Sequence, residues 1–180
     1  NYGFINRGTV TAQGILDGVS AQAIRFGVTG GQAVVIQCGV LTAGPVSVLA
    51  YDAGATAITV GAGVTTPRLT NTGFITAASA SETGGAVTGI LIGAGANMPE
   101  FTNRGSLLAT SGGGTATVRG VFDQSGTLSR VTNMGIVEAN LNPNADRDPL
   151  TGSAVAFDLS ANTTGVTFIQ DEDPADPAAD

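Results

Sequence analysis

The sequence contains no histidine, no tryptophan and no lysine, and these absences exclude several kinds of functional site. Without histidine, the commonest general base and metal ligand is missing, and Ser-His-Asp or Cys-His nucleophiles cannot be assembled. The single cysteine, Cys38, excludes an intrachain disulfide and a thiolate zinc site, and its side chain is predicted to point outward. We expect no catalytic residues, no cofactor and no enzymatic activity.

Charge is also scarce, because only 12% of the residues are charged and the net charge at pH 7 is −7. An acidic balance argues against nucleic-acid binding, which requires a basic surface. Residues 171–180 hold five acidic residues and two prolines, so they are predicted to form a solvated tail or linker. No run approaches the roughly 18 apolar residues of a membrane span, and the first residues do not have the pattern of a signal peptide.

What the sequence has in abundance is glycine, which occurs 27 times, and internal repetition. A nine-residue pattern with Asn-x-Gly near its centre recurs along the chain. Its copies span residues 4–12, 69–77, 101–109 and 131–139, with a copy at 35–43 that has Gln for Asn and a partial copy at 168–170. The amide residues are Asn6, Gln37, Asn71, Asn103, Asn133 and Gln170, and the glycines two residues later are Gly8, Gly39, Gly73, Gly105 and Gly135.

The repeats predict an all-β fold in which short strands stack in successive coils. Apolar residues recur at every second position, which is strand periodicity, and repeats of about 30 to 37 residues must stack to bury their apolar faces. We therefore predict a right-handed parallel β-helix, or β-solenoid, of about five coils over residues 1–170. The predicted inward columns are Phe4, Val35, Leu69, Phe101, Val131 and Phe168, then Val10, Leu41, Ile75, Leu107 and Val137, then Ile24, Ile58, Ile90 and Phe157 with Gly120 as an exception.

Stacking places equivalent residues of successive coils about 4.8 Å apart, so the amide column is predicted to form a ladder. An amide side chain both donates and accepts, so stacked amides can bond along the column inside a corner, with Gln37 as an imperfect rung. Asn and the following Gly also tolerate the left-handed backbone expected at a corner. All variation in length is predicted to lie in one arm of each coil: 13–23, 44–57, 78–89, 110–119 and 140–156.

The string Asn-x-Gly-x-(Ile/Val/Leu)-x-Ala, followed by a glycine-rich strand such as residues 86–93, resembles autotransporter passenger domains. The resemblance covers residues 1 to about 170 and is greatest to the repetitive regions of adhesin-like members. It implies a β-helix that is exported across a bacterial outer membrane, at the cell surface or secreted, with almost no cysteine and with roles in adhesion or biofilm formation. Filamentous haemagglutinin-type solenoids have similar patterns.

Three classes of function follow. The leading hypothesis is a structural and adhesive surface rod that presents its arms to other cells, surfaces or glycans. The second is a self-assembling fibre or layer subunit, because an uncapped coil exposes unpaired backbone to a second copy. The remote third is a carbohydrate-active enzyme, which needs paired carboxylates. Its candidates are Asp17, Asp52, Glu82 and Asp146.

One segment in the longest arm has a metal-ligand pattern. Oxygen-bearing side chains at alternate positions resemble the start of a calcium loop, but Arg147 stands where such a loop needs glycine. An ordinary polar loop is therefore the favoured interpretation. The candidate calcium ligands are Asn142, Asn144, Asp146 and Asp148.

Overall fold

The computed structural model describes residues 1–28, 30–80, 85–143 and 151–171. This part of the chain contains strands and no helix, as the periodicity predicted. The strands in chain order are β1 (Phe4–Asn6), β2 (Val10–Gly14), β3 (Ala21–Phe26), β4 (Val34–Val35), β5 (Val40–Thr42), β6 (Val46–Ala50), β7 (Ala55–Val60), β8 (Val64–Thr65), β9 (Arg68–Asn71), β10 (Phe74–Ser79), β11 (Val87–Ile92), β12 (Glu100–Asn103), β13 (Ser106–Ser111), β14 (Thr117–Asp123), β15 (Arg130–Asn133), β16 (Ile136–Leu141), β17 (Ser153–Asp158) and β18 (Thr167–Gln170).

The strands form three long parallel sheets, and each sheet takes one strand from every coil. The first sheet has the order β1-β5-β9-β12-β15-β18, the second β2-β6-β10-β13-β16 and the third β3-β7-β11-β14-β17. The short pair β4-β8 lies in the connections from the third sheet to the first. This is a parallel β-solenoid, which confirms the predicted fold class, with about 4 turns in place of about five coils. Right-handed winding stays a prediction from the crossover rule.

Each sheet turns one face inward, where apolar residues of successive coils stack on one another. The first sheet stacks Phe4, Val40, Leu69, Phe101, Val131 and Phe168. The second stacks Val10, Val46, Ile75, Leu107 and Val137. The members in the middle coils, such as Leu69 and Phe101, are fully buried, and burying a side chain of this size contributes about 1.5–3 kcal/mol.

The register predicted for the second coil was wrong by five residues. Val40 and Val46 occupy the two inward columns in place of Val35 and Leu41, and Val35 is 67% exposed. Residues 37–39 instead form the turn that leads into β5, with a left-handed backbone at Cys38 and Gly39. An Asn-x-Gly-like signal does mark a turn there, but one that lies before the strand of the first sheet.

The third sheet contains a column of small residues that the predicted alignment missed. A Cβ on Gly89 would lie 2.6 Å from Leu107, and one on Gly120 would lie 2.7 Å from Val137, so both glycines face the core. Gly120 is therefore not an exception in the isoleucine column, because Val121 pairs with Ile90 there. The misalignment arose because the connection after β14 is one residue shorter than the connection after β11.

Loops of different length join the second sheet to the third at the same corner of every coil. The stretches between the strands are 15–20, 51–54, 80–86, 112–116 and 142–152, of which 81–84 and 144–150 lie outside the described residues. The predicted arms contain these loops, but 44–57 was wrong because β6 and the start of β7 occupy most of it. The extra residues that were assigned there lie instead in 27–39, between the third and first sheets. Of the predicted tail 171–180, only Asp171 is among the described residues.

The corner between the first and second sheets is built from stacked glycines, Gly8, Gly44, Gly73, Gly105 and Gly135. A Cβ on Gly105 would overlap the carbonyl oxygen of Gly73 in the coil before it, so the backbones approach too closely for a side chain. Gly44, not Gly39, is the member from the second coil. Of the glycines for which a left-handed backbone was expected, only Gly39 has positive φ, and the expectation was wrong for the stacked glycines, none of which has positive φ. Close stacking selects glycine here.

We predict that Gly105→Ala lowers the free energy of unfolding by about 1–3 kcal/mol, because the new methyl group overpacks a rigid backbone contact. Urea denaturation followed by circular dichroism measures this. The matched control is Gly8→Ala in the same column, where a Cβ has no neighbour within 4 Å. Equal stability of the two variants would contradict the stacking explanation.

Candidate functional site

A ladder of amide side chains runs inside the corner between the first and second sheets. Asn71 Nδ2 donates to Asn103 Oδ1 at 2.8 Å, and Asn103 Nδ2 donates to Asn133 Oδ1 at 2.8 Å. Asn133 Nδ2 donates in turn to Gln170 Oε1 at 2.9 Å. Asn71, Asn103 and Asn133 each donate to the next coil, and Asn103, Asn133 and Gln170 each accept from the previous one, as the sequence predicted for these four residues.

The amides also bond to the backbone, so the ladder leaves few polar atoms without partners. Asn103 Nδ2 donates to the carbonyl oxygen of Gly105 at 3.1 Å and to that of Ile136 in the next coil at 3.1 Å. Asn71 makes the same type of contact with Gly73 at 3.2 Å. Asn71 and Asn103 are fully buried, and such burial is tolerated only when the amide is hydrogen-bonded.

The prediction that Gln37 is a rung was wrong. The Gln37 side chain is exposed in the turn before β5, outside the ladder. Thr42 pairs with Asn6 and Asn71 in the sheet, and its Oγ1 lies 3.0 Å from Asn71 Oδ1, to which it donates. Asn6 Nδ2 donates to the carbonyl oxygen of Gly44 at 3.2 Å. A search for amides could not find Thr42, but the glycine two residues later is the signal that identifies this position.

We predict that Asn103→Leu lowers the free energy of unfolding by about 1–3 kcal/mol, because Asn71 Nδ2 and Asn133 Oδ1 both lose a buried partner. Thermal and urea denaturation measure the loss. Gln37→Leu is the matched control, since the exposed Gln37 side chain lies outside the ladder. A loss of the same size in both variants would contradict the position of the ladder.

The predicted calcium site falls largely outside the described residues, as Asn144, Asp146 and Asp148 do. Asn142 is described, and its Nδ2 donates to Thr110 Oγ1 at 3.0 Å. Within the described ranges, no group of three or more His, Cys, Asp or Glu residues is placed to hold a metal ion. The calcium hypothesis therefore stays a prediction.

Of the four carboxylates considered for an enzyme, two are among the described residues and two are not. Asp17 is exposed in loop 15–20 and Asp52 is half-buried in loop 51–54, while Glu82 and Asp146 lie outside the described residues. Cys38 is exposed and has a free thiol, in agreement with its predicted outward orientation.

Asp123 is a buried carboxylate that the sequence patterns did not reveal. It occupies the column of Val60 and Ile92, and it is fully buried. Its Oδ1 accepts from the N–H of Ser125 at 2.9 Å and from the hydroxyl of the same residue at 2.6 Å, and its Oδ2 accepts from the N–H of Leu128 at 3.2 Å. These bonds close the short connection to β15, so Asp123 has a structural role.

A second charged group lies on the outer face of the third sheet. Arg119 Nε lies 2.7 Å from Asp158 Oδ2, and its guanidinium carbon lies 4.0 Å from the centre of the Phe122 ring. Burial raises the pKa of Asp158, but the hydrogen bonds from Ser160 and Arg119 outweigh it and hold the pKa below its ordinary value. The contacts with Arg119 and Ser160 therefore favour the charged form of the Asp158 carboxyl group.

We predict that the stabilising contribution of Asp158 is present above about pH 4 and is lost as the pH falls through its lowered folded-state pKa. Asp158→Asn is expected to cost about 1 kcal/mol or less at pH 7 and to flatten the acid limb of the stability curve. Urea denaturation between pH 2 and pH 7 measures this. Asp17→Asn, at an exposed carboxyl, is the control, and an unchanged acid limb in Asp158→Asn would refute the prediction.

A scan against protein-family models, a search of curated proteins and a search of solved structures each found no match to this chain. Among the described residues, no helix is long and apolar enough to cross a membrane. The fold assignment therefore depends on the strand pairing and the repeats of the chain itself.

Proposed function

We propose that this chain is a rigid rod segment of an exported, adhesive bacterial surface protein, and that its loops of variable length contact other cells, surfaces or glycans. The observation that carries the proposal is the contrast between one corner of the coil and the opposite one. The corner between the first and second sheets repeats its glycine and amide contacts from coil to coil, whereas the corner between the second and third sheets carries loops of different length.

Rigidity is supported by the number of independent columns that stack along the axis. Apolar side chains, buried amides and close-packed glycines each connect one coil with the next. Interiors packed in this way resist deformation. A rod of this kind can hold loops at fixed positions, which is the usual arrangement in proteins that bind through loops on a scaffold.

The loops of the first two coils also have a composition suited to binding. Ile15, Leu16 and Tyr51 are 77%, 67% and 52% exposed, and the backbones of the two loops are joined by an antiparallel bridge from Val19 to Tyr51. Large apolar and aromatic side chains held exposed on a fixed backbone are typical of interaction surfaces.

We assign no catalysis to the segment. The buried amides and the buried carboxylate already have structural partners, because the ladder amides bond along the column and Asp123 bonds to the turn beside it. Export and surface location are supported by the resemblance of the repeats to autotransporter passengers and by the presence of a single cysteine.

We predict that replacing residues 142–152 with the five residues of the shorter loop 112–116 leaves the fold intact and reduces attachment to cells or glycan-coated surfaces. The fold is expected to survive because the exchange stays within the connection between β16 and β17. Circular dichroism and adhesion assays measure the two effects. The control exchanges the same five residues into 80–86, and unchanged attachment by both variants would contradict a binding role for the loops.

A further inference from the structure

The outer face of the first sheet carries a row in which the sign of the charge alternates. Arg68, Glu100 and Arg130 are direct neighbours in the sheet, at the first position of β9, β12 and β15. Glu100 and Arg130 are exposed and Arg68 is half-buried. Adjacent strands lie about 4.8 Å apart, so the two arginines are separated by about 10 Å with the carboxylate between them.

A second row of hydroxyl groups runs beside the charged row on the same face. Thr70, Thr102 and Thr132 are paired across the same three strands, two residues after the charged positions. The Thr70 hydroxyl accepts from the Tyr2 hydroxyl at 3.1 Å. Thr70 is buried, whereas Thr102 and Thr132 are half-buried, so this face offers ionic groups and the hydroxyls of these two threonines.

An open groove of about 430 Å³ lies at one end of the charged row, lined by Asn1, Cys38, Pro67, Arg68, Pro99 and Glu100, and Arg130 is paired with Glu100 beyond it. The Arg68 side chain is held in place, since its Nη2 donates to the carbonyl oxygen of Asn1 at 3.4 Å and its guanidinium carbon lies 4.7 Å from the centre of the Tyr2 ring. Its Nε is buried and has no hydrogen-bond partner. Because Nε is buried, a ligand carboxylate would have to meet the terminal nitrogens of the guanidinium.

The charged row has a net positive charge, whereas the whole chain has a net negative charge. The sequence has a net charge of −7, yet this row carries two arginines and one glutamate, and no ion pair joins Glu100 to either arginine in the part of the chain that the structure describes. Arginine binds carboxylates with directed hydrogen bonds. A nucleic acid is disfavoured, because the overall negative charge would repel its phosphates.

We propose that this groove and row bind a linear polysaccharide in which acidic and neutral sugars alternate. An extended sugar unit is about as long as one coil spacing, so carboxylates on every second sugar would meet Arg68 and Arg130. Glu100 would then face the neutral sugar and accept bonds from its hydroxyl groups, and it would repel a polymer that is acidic at every sugar. The proposal deepens the adhesive function proposed above and rests on it for its setting at a surface.

The test uses the full chain and measures binding to three polymers by isothermal titration calorimetry at low and at physiological salt. Hyaluronan has one carboxylate per disaccharide, polygalacturonate has one per sugar and dextran has none. We expect binding in the order hyaluronan, polygalacturonate, dextran, with hyaluronan binding weakened by salt. Tighter binding of polygalacturonate than of hyaluronan would overturn the proposal, as would the absence of hyaluronan binding.

Variants identify the residues. Arg130→Gln, at an exposed position, is expected to weaken hyaluronan binding about tenfold, and Arg68→Gln is expected to do the same. Arg25→Gln is the matched control, because it removes the same charge from the outer face of the third sheet. Glu100→Gln is expected to bring polygalacturonate binding close to that of hyaluronan. Equal losses in Arg25→Gln and Arg130→Gln, or unchanged selectivity in Glu100→Gln, would overturn the proposal.

Two further outcomes separate this site from the proposed function. In the first outcome, wild-type protein attaches to surfaces, and Arg130→Gln changes neither this attachment nor hyaluronan binding. The proposed site is then wrong, while the adhesive function stands. If hyaluronan binds in solution and is lost in Arg130→Gln, but no surface is bound, the site stands and the adhesive function fails. If Arg130→Gln changes only self-association in sedimentation, the face contacts a second copy and the proposal is overturned.

Discussion

The structure depends on one constraint, which is that the amides buried in the corner between the first and second sheets must find hydrogen-bond partners between coils. An asparagine inside the corner has donors and an acceptor that water cannot reach, and its partners are the side chain at the same position one coil away and the backbone carbonyl oxygens of the corner. The same residue type is therefore repeated at about 4.8 Å. The glycine two residues later follows from this, because the coils can approach to that spacing at the corner only without a Cβ.

This constraint explains how much the sequence predicts. Outside the second coil, five positions carry the predicted Asn or Gln, and the inward columns of the first and second sheets follow from the repeated pattern. The bonds among Asn71, Asn103, Asn133 and Gln170 follow from it as well. The second coil was misplaced because Thr42 supplies a hydroxyl where the others have an amide, while Gln37 and Gly39 form a turn of similar appearance nearby. The buried Asp123 was missed for a related reason, since its partners are local N–H groups that leave no periodic signal.

The same regularity separates the structural and the interacting parts of the molecule. Positions inside the coil are fixed by stacking, so they are unavailable for ligands, and the sequence can vary only in the loops and on the outer faces of the sheets. Positions on the outer faces also repeat at the coil spacing, but stacking does not fix their residue type. A row such as Arg68, Glu100 and Arg130 can therefore match a repeating polymer. Patterns of hydrophobicity do not reveal such a row, because it appears only after the strands are placed in register.

Hydrogen exchange of side-chain amides, measured by NMR, distinguishes a buried amide ladder from amides that face solvent. We expect the Nδ2 protons of Asn71 and Asn103 to exchange orders of magnitude more slowly than the Nε2 protons of Gln37, because only the former are buried and bonded between coils. Rapid exchange at all three side chains would contradict the ladder, and protection at Gln37 with exchange at Asn71 would contradict the register on which it is built.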